Sequence, residues 1–273
     1  MTQAPGWTPS MAERMFELFG IFKLQTMAEE AERRIEKAGH RDALPVFLEL
    51  LELEAGERRG RRVERLLRKS QLPPGKTFDT LDQSRLPRPL QQQLRELSSG
   101  EFLERTINVL AFGLPGTGKS HAASALGHAL VRAGHSVLFI PTYQLVQELL
   151  VAKRDLELPR ALRKLDAFEL LILDDLGYVQ QSTDEMEVLF TLMAERYERR
   201  SLLLTSNLVF SAWDKIFKNP MTTAAAIDRV VHHSAILEFA PVESYRAPKT
   251  HTPVPRGKKS PPPPGAAPKE ANP

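Results

Sequence analysis

The sequence predicts an α/β fold: a parallel sheet between helices, preceded by a small all-helical N-terminal domain. Three observations predict it. Five short apolar runs, "TINVLAF", "SVLFIP", "ELLILD", "SLLLTS" and "AILEFA", alternate with helical patterns between residues 105 and 240. Near-continuous apolar runs of this kind belong to strands buried on both faces, which is the habit of parallel sheets. Residues 1–72 instead carry helical periodicity. A glycine-rich stretch, "GLPGTGKSH", joins the first apolar run to the helical "AASALGHALVRA".

From the N-terminus, Ser10 and Glu13 form a capping-box pattern, followed by Met11, Met15, Leu18, Phe19 and Phe22 at helical spacing. That stripe reads as core, with a groove for a partner as the alternative. A second helix is expected to end near Gly39, and a third, "ALPVFLELLELEA", is apolar on one side. A basic run follows: from Glu57 to Lys69 there are seven basic and two acidic residues. It is either a solvated helix face or a contact for DNA or an acidic protein surface. "LPPGK" breaks it. Residues 73–104 read as a connector, residues 105–246 as the sheet-containing domain, and residues 247–273, with "PPPP" at 261–264, as a disordered tail.

Gly113 to Ser120 fits G-x-x-x-x-G-K-[ST]. In such a loop, glycines let backbone N–H groups close around phosphates, the lysine reaches the β- and γ-phosphates, and the hydroxyl ligates Mg²⁺. The helix that follows adds its positive end. Gly113, Leu114, Pro115, Gly116, Thr117, Gly118, Lys119, Ser120 and His121 are therefore the expected nucleotide-binding residues, with Ser120 a metal ligand. "LLILDDLG" ends an apolar strand in Asp174 and Asp175. Asp174 is the expected second Mg²⁺ ligand, direct or through water, and Asp175 the residue that orients or deprotonates the attacking water. "LLLTSN" ends at Asn207, which either meets the γ-phosphate or the attacking water, or serves ordinary turn chemistry. Arg229, in "AAAIDRVVHHS", is either a transition-state cation acting across a subunit boundary, a partner of Asp228 or a surface charge. Lys119, Asp175, Asn207 and Arg229 form the expected catalytic set. ATP and Mg²⁺ are the expected cofactors and ATP hydrolysis the expected reaction.

Composition limits the alternatives. The 273 residues contain no cysteine, which excludes disulfides and thiolate metal sites. The first fifteen residues lack a signal-peptide pattern, and no apolar stretch approaches the roughly 20 residues that cross a bilayer. A cytoplasmic location is expected, with no membrane partner. A net charge of +3 does not by itself imply nucleic acid. A small-molecule kinase would need an acceptor site and a basic lid, and the sequence offers neither clearly.

The string "GLPGTGKSH … LLILDDLGYV … LLLTSNLVFSAWDKIF … AAIDRVVHHS … ESYR" resembles the IstB family, the ATP-binding helper subunits of insertion sequences, related to helicase loaders of the DnaC type. The resemblance runs from about residue 10 to Arg246. It implies an AAA+ P-loop ATPase fold of the initiator clade. It also implies assembly of ATP-bound subunits on duplex DNA and recruitment and stimulation of a transposase encoded by the same element. A helicase loader is the alternative it leaves open. By resemblance Asn207 is the sensor I residue and Arg229 the arginine-finger candidate. Many AAA+ proteins have Asp-Glu where this chain has Asp174-Asp175, and the shorter second carboxylate implies slow turnover. The family's N-terminal helices imply partner contact for residues 10–50. The segment between "SVLFIP" and "ELLILD" is long enough for two helices, and initiator-clade proteins resemble this with an inserted helix facing DNA. Lys153, Arg154, Arg160, Arg163 and Lys164 are the expected phosphate contacts. Few aromatic residues interleave with them, so duplex binding with weak sequence preference and steep salt dependence is expected.

Overall fold

The computed structural model describes residues 7–176, 182–208, 213, 230–231 and 234–239. Its helices are α1 (Pro9–Phe22), α2 (Gln25–Lys37), α3 (Leu44–Ser70), α4 (Arg88–Leu97), α5 (Glu101–Glu104), α6 (Lys119–Ala133), α7 (Thr142–Arg154), α8 (Leu158–Leu165) and α9 (Thr183–Arg196). Its strands are β1 (Asn108–Gly113), β2 (Val137–Pro141), β3 (Leu170–Leu176), β4 (Ser201–Ser206) and β5 (Ser234–Phe239). They form one sheet in the order β2-β3-β4-β1-β5, every neighbouring pair parallel.

Side-chain alternation divides the core in two. Leu110, Phe112, Leu171, Leu173, Leu202 and Leu204 face α7 and α9, where they meet Leu145, Leu149, Val188, Leu189 and Leu192. Val109, Ala111, Leu170, Ile172 and Leu203 face the other way, onto Ala122, Leu126 and Leu130 of α6 and Leu90 and Leu94 of α4. β1 to β4 are strands covered by an apolar layer on each face. β5, at the edge of the sheet, departs from that expectation, burying Leu237 and Phe239 on one face while Ile236 and Glu238 are exposed on the other.

The N-terminal helices have their own small core. Met15, Leu18, Phe19 and Phe22 of α1 pack against Leu44, Leu48 and Leu51 of α3. α1 begins before the Ser10 cap that the sequence suggested: Pro9 occupies the first turn and the Thr8 hydroxyl accepts from Met11 N. Proline at the first helical position is pre-set for the helix and needs no N–H partner there. The basic run is not a separate element. It is the second half of α3, which continues for 27 residues. Val63 and Leu66 on that half pack against the α6 side of the sheet. Arg58 lies 4.5 Å over the Phe22 ring, and Arg62 Nη2 donates to Gly134 O at the end of α6 (3.1 Å). The connector is also more ordered than its turn signals suggest: α4 buries Leu90, Leu94 and Leu97 at helical spacing.

One buried cation closes the far edge. Arg196, 1% exposed, donates to the carbonyls of Leu165 (3.1 Å), Phe168 (3.0 Å), Glu169 (3.3 Å) and Ser201 (3.0 Å). It ties the end of α8 to the start of β3 and β4. Among the described residues no helix is long and apolar enough to cross a membrane.

Candidate nucleotide-binding site

Parallel strands place their carboxyl ends on one edge, which is where α/β sheets bind ligands. β4 lies between β3 and β1, so the loop after β1, the acidic pair ending β3 and the residue after β4 share that edge.

The loop after β1 takes its shape from its glycines. A Cβ on Gly113 would stand 2.6 Å from the backbone oxygen of Phe239 on β5, so the neighbouring strand leaves room for no side chain. Gly116 (φ 81°) and Gly118 (φ 98°) adopt the left-handed conformation that side chains disfavour. Gly118 caps α6, whose first residue is Lys119. The Lys119 side chain is 6% exposed, and its Nζ donates to the carbonyls of Gly113 (2.7 Å) and Leu114 (2.9 Å). Thr117 Oγ1 donates to the same Leu114 carbonyl (2.9 Å). The loop thus curls around a buried ammonium at the N-terminus of a fifteen-residue helix, an arrangement that favours an anion. Leu114 and Pro115 are exposed on the outside of the loop, and Ser120 is half-buried in the first turn of α6.

His121 faces elsewhere. Its Nε2 lies 3.0 Å from Thr80 Oγ1 and 3.2 Å from Thr77 O, so the ring ties the first turn of α6 to the connector. Burial lowers its pKa below the usual 6.5. The Thr77 carbonyl opposes this, and the charge of Lys76 adds to it. The ring is therefore neutral near pH 7.

On β3, Asp174 is half-buried and Asp175 exposed. Asp174 Oδ1 accepts from Thr205 Oγ1 of β4 (2.6 Å), and Asp174 O accepts from Thr142 Oγ1 (2.9 Å). Asp175 N donates to Thr205 Oγ1 (2.9 Å), with the Asp175 backbone at φ 64°. After β4, the Asn207 side-chain oxygen is buried with no hydrogen-bond partner among the described residues. A buried acceptor left unpaired is costly, and at this edge it suits a water or ligand donor.

These groups fit a magnesium nucleotide. Among the described residues no group of three or more His, Cys, Asp or Glu side chains could hold a metal alone. Mg²⁺ characteristically binds through one or two protein oxygens together with substrate phosphates. Asp174 and the Ser120 hydroxyl supply such hard oxygens.

A family profile described as IstB-like ATP-binding protein matches residues 18–252. The chain belongs to the IstB-like ATP-binding proteins. It is 48% identical over 198 residues to an insertion-sequence ATP-binding protein of Sinorhizobium fredii, covering 72% of this chain and 66% of that one. It is 36% identical over 231 residues to the ATP-binding protein of insertion sequence IS21 of Pseudomonas aeruginosa, covering 84% and 87%. The crystal structure of the DnaC helicase loader superposes with a TM-score of 0.51 at 17% identity, covering 61% of this chain and 97% of that one. That likeness shows a shared α/β fold.

The remaining expected residues are spread more widely. Lys153 Nζ pairs with Glu187 (2.8 Å) and Asp184 (3.3 Å) on α9, and its pKa is raised, chiefly by the Glu187 hydrogen bond. Arg154 pairs with Asp155 (3.1 Å) and Arg160 with Glu157 (3.4 Å). Arg163 and Lys164 are exposed on α8. Arg160 and Lys164 border a 590 Å³ groove between α7 and α8, floored by Leu145, Leu149 and Phe168. Arg154, Arg160, Arg163 and Lys164 are thus exposed along α7 and α8, Arg160 and Lys164 sharing one groove, while Lys153 turns to α9. Arg229 and its neighbour Asp228 lie outside the described residues, as do "SYR" at 244–246 and the tail from 247.

Sequence reasoning missed Thr142, Thr205 and the Thr77–Thr80 contact to His121. Thr205 had a legible signal: a hydroxyl inside the otherwise apolar "SLLLTS" strand, which needs a partner once buried.

Proposed function

We propose that this protein is an ATP-dependent helper of DNA transposition. ATP-bound subunits assemble on duplex target DNA, and the assembly recruits and stimulates the transposase of the same element. The observation that supports the reading is the shared sheet edge, along which the strand order puts the loop of Lys119, the Asp174–Asp175 pair and the unpaired oxygen of Asn207, in a chain of this family.

Lys119 would leave the Gly113 and Leu114 carbonyls for the β- and γ-phosphate oxygens. Ser120 and Asp174 would hold Mg²⁺, which supplies charge neutralisation on the phosphates. Asp175 would orient or deprotonate the attacking water, and the Asn207 oxygen would accept its second hydrogen. Arg229 would complete the site from a neighbouring subunit. ATP then acts as the joint between subunits, and slow hydrolysis releases them. The exposed ion pairs of Arg154 and Arg160 contribute little, so phosphates can displace their carboxylates. Contacts of that kind position a protein on duplex without reading sequence.

The test is sedimentation of the full chain with random-sequence duplex in the presence of ATP, ADP or neither, followed by strand-transfer assays with the element's transposase. Large complexes that need both ATP and duplex, and that raise strand transfer, are expected. Assembly indifferent to duplex, or transposase activity indifferent to the assembly, overturns the reading. Lys119→Ala is expected to lose nucleotide binding and assembly together. Arg229→Ala is expected to keep nucleotide binding by the single subunit and lose hydrolysis.

A further inference from the structure

The pairing of β3 with β4 is irregular at the acidic pair. Leu173 stands opposite Leu204 and Leu176 opposite Ser206, with a register shift between them. Two residues of β3, Asp174 and Asp175, therefore face one residue of β4, Thr205. This is a β-bulge, a device that leaves one residue outside the ladder and re-aims its side chain. Asp175 takes the left-handed conformation at φ 64°, which L side chains disfavour. Something has to hold it there.

Thr205 is the group placed to do so. It is fully buried, and its single hydroxyl uses both of its hydrogen-bonding roles at the bulge. It accepts from the Asp175 amide (2.9 Å) and donates to Asp174 Oδ1 (2.6 Å). One bond satisfies the backbone group that the bulge frees. The other fixes the rotation of the Asp174 carboxylate and leaves its second oxygen available. Thr142, the first residue of α7 just after β2, donates to the Asp174 carbonyl and braces the same residue from the opposite side.

We propose that Thr205 is the positioning residue that divides the two adjacent carboxylates between two tasks, metal holding for Asp174 and water orientation for Asp175. In a regular strand, neighbouring side chains point to opposite faces of the sheet, and only one of the two would face the nucleotide edge. The bulge, closed by Thr205, changes that geometry. Thr205 itself touches neither nucleotide nor metal.

The inference rests on the nucleotide reading above, and the test separates the two. Full-length wild type, Thr205→Val and Thr205→Ser are titrated with a fluorescent ATP analogue in EDTA and at rising Mg²⁺. Steady-state ATP turnover and thermal melting are measured alongside. Valine keeps the volume and removes both hydrogen bonds; serine keeps the hydroxyl. Outer-shell partners of metal ligands characteristically contribute about 10–100-fold to metal affinity or activity. Thr205→Val is expected to bind the analogue in EDTA as wild type does. It should need about 10–100-fold more Mg²⁺ for the magnesium-dependent gain in affinity and lose kcat by a similar factor. Thr205→Ser is expected to restore both. Loss of strand packing alone would lower the melting temperature without moving the Mg²⁺ midpoint. An unmoved midpoint and kcat in Thr205→Val, or a serine variant as impaired as the valine one, overturns the proposal. A wild-type chain with no Mg²⁺ response overturns the nucleotide reading itself. Should valine prevent folding, Thr205→Ala carries the same comparison against serine.

Discussion

Replacing Arg196 by methionine tests the energetics of the sheet edge that supports the α7–α8 hairpin. The guanidinium gives hydrogen bonds to four carbonyls, on Leu165, Phe168, Glu169 and Ser201, while its Nε–H is buried without a partner. Burial lowers its pKa to about 9, and the Asp166 carboxylate 3.8 Å away opposes the shift. It remains charged at neutral pH. Methionine fills the channel of the aliphatic stem and removes a desolvated charge, which is favourable. It also strands the carbonyls, each costing about 1–3 kcal/mol if no water replaces the donor. Breaking a buried charge network by removing one partner typically costs about 3–5 kcal/mol. For a domain of this size 1 kcal/mol moves Tm by about 2–4 °C, so a fall of about 10 °C is expected. Circular dichroism melts of Arg196→Met and Arg199→Met provide the assay. Arg199, with an exposed side chain beside Asp166 (2.7 Å) and Glu195 (3.4 Å), should matter little. A Tm for Arg196→Met close to that of wild type refutes the argument that these carbonyls depend on the cation.

Gly113→Ala forces a Cβ against the Phe239 backbone at 2.6 Å, and the loop must move away from β5. At least about tenfold weaker ATP binding, equal to about 1.4 kcal/mol, is expected by titration, and unchanged affinity would show that the loop tolerates the shift. Burial alone would raise the pKa of Glu169, but hydrogen bonds from Ser136 N, His135 and the Ser136 hydroxyl outweigh it and hold the pKa below 4.5. A carboxyl lowered in the folded state adds stability above its unfolded pKa and loses it as pH falls through the folded value. Glu169→Gln should therefore lower Tm at neutral pH and flatten its decline below about pH 4.5; parallel Tm curves for the two proteins refute this. For duplex binding, replacing Arg160, Arg163 and Lys164 by glutamine should reduce the log–log salt slope by about 0.9 for each phosphate no longer neutralised. Lys153→Gln should change it less, because that ammonium is engaged by Asp184 and Glu187. Equal effects of the two substitutions would remove the hairpin from the DNA interface.

The parts of the fold legible in the sequence are those set by local pattern. β1 to β4 announced themselves because a strand covered on both faces must be apolar throughout, β5 did so with only one face covered, and the glycine-rich loop did so because its glycines and lysine are close in sequence. What stayed hidden depends on partners far along the chain. The bulge at Asp174–Asp175 is a relation between β3 and β4, and its closing bond spans 30 residues. The pairing of Lys153 with Glu187 spans 34. The continuity of α3 was obscured by Gly56 and Gly60, which weaken helix propensity locally. Packing overrides that weakness because each half of α3 has its own apolar partner surface, α1 for Leu44, Leu48 and Leu51 and the α6 side of the sheet for Val63 and Leu66.

The continuity of α3 also determines how α6 is held. α6 begins at the phosphate loop with Lys119 and is gripped at both ends by the N-terminal part of the chain. At its start, His121 bonds to Thr77 and Thr80 in the segment that follows α3. At its end, Gly134 O accepts from Arg62 on α3 itself. Between these points Gly127 brings α6 so close to Leu72 and Ile172 that a Cβ there would stand 2.6 Å from one side chain and 2.9 Å from the other. A close-packed contact of this kind transmits displacement instead of absorbing it. α3 runs on without a break to the α1 interface. α6 is thus held to the connector by His121 at its start and to α3 by the Arg62 hydrogen bond at its end, with the Gly127–Leu72 contact between them.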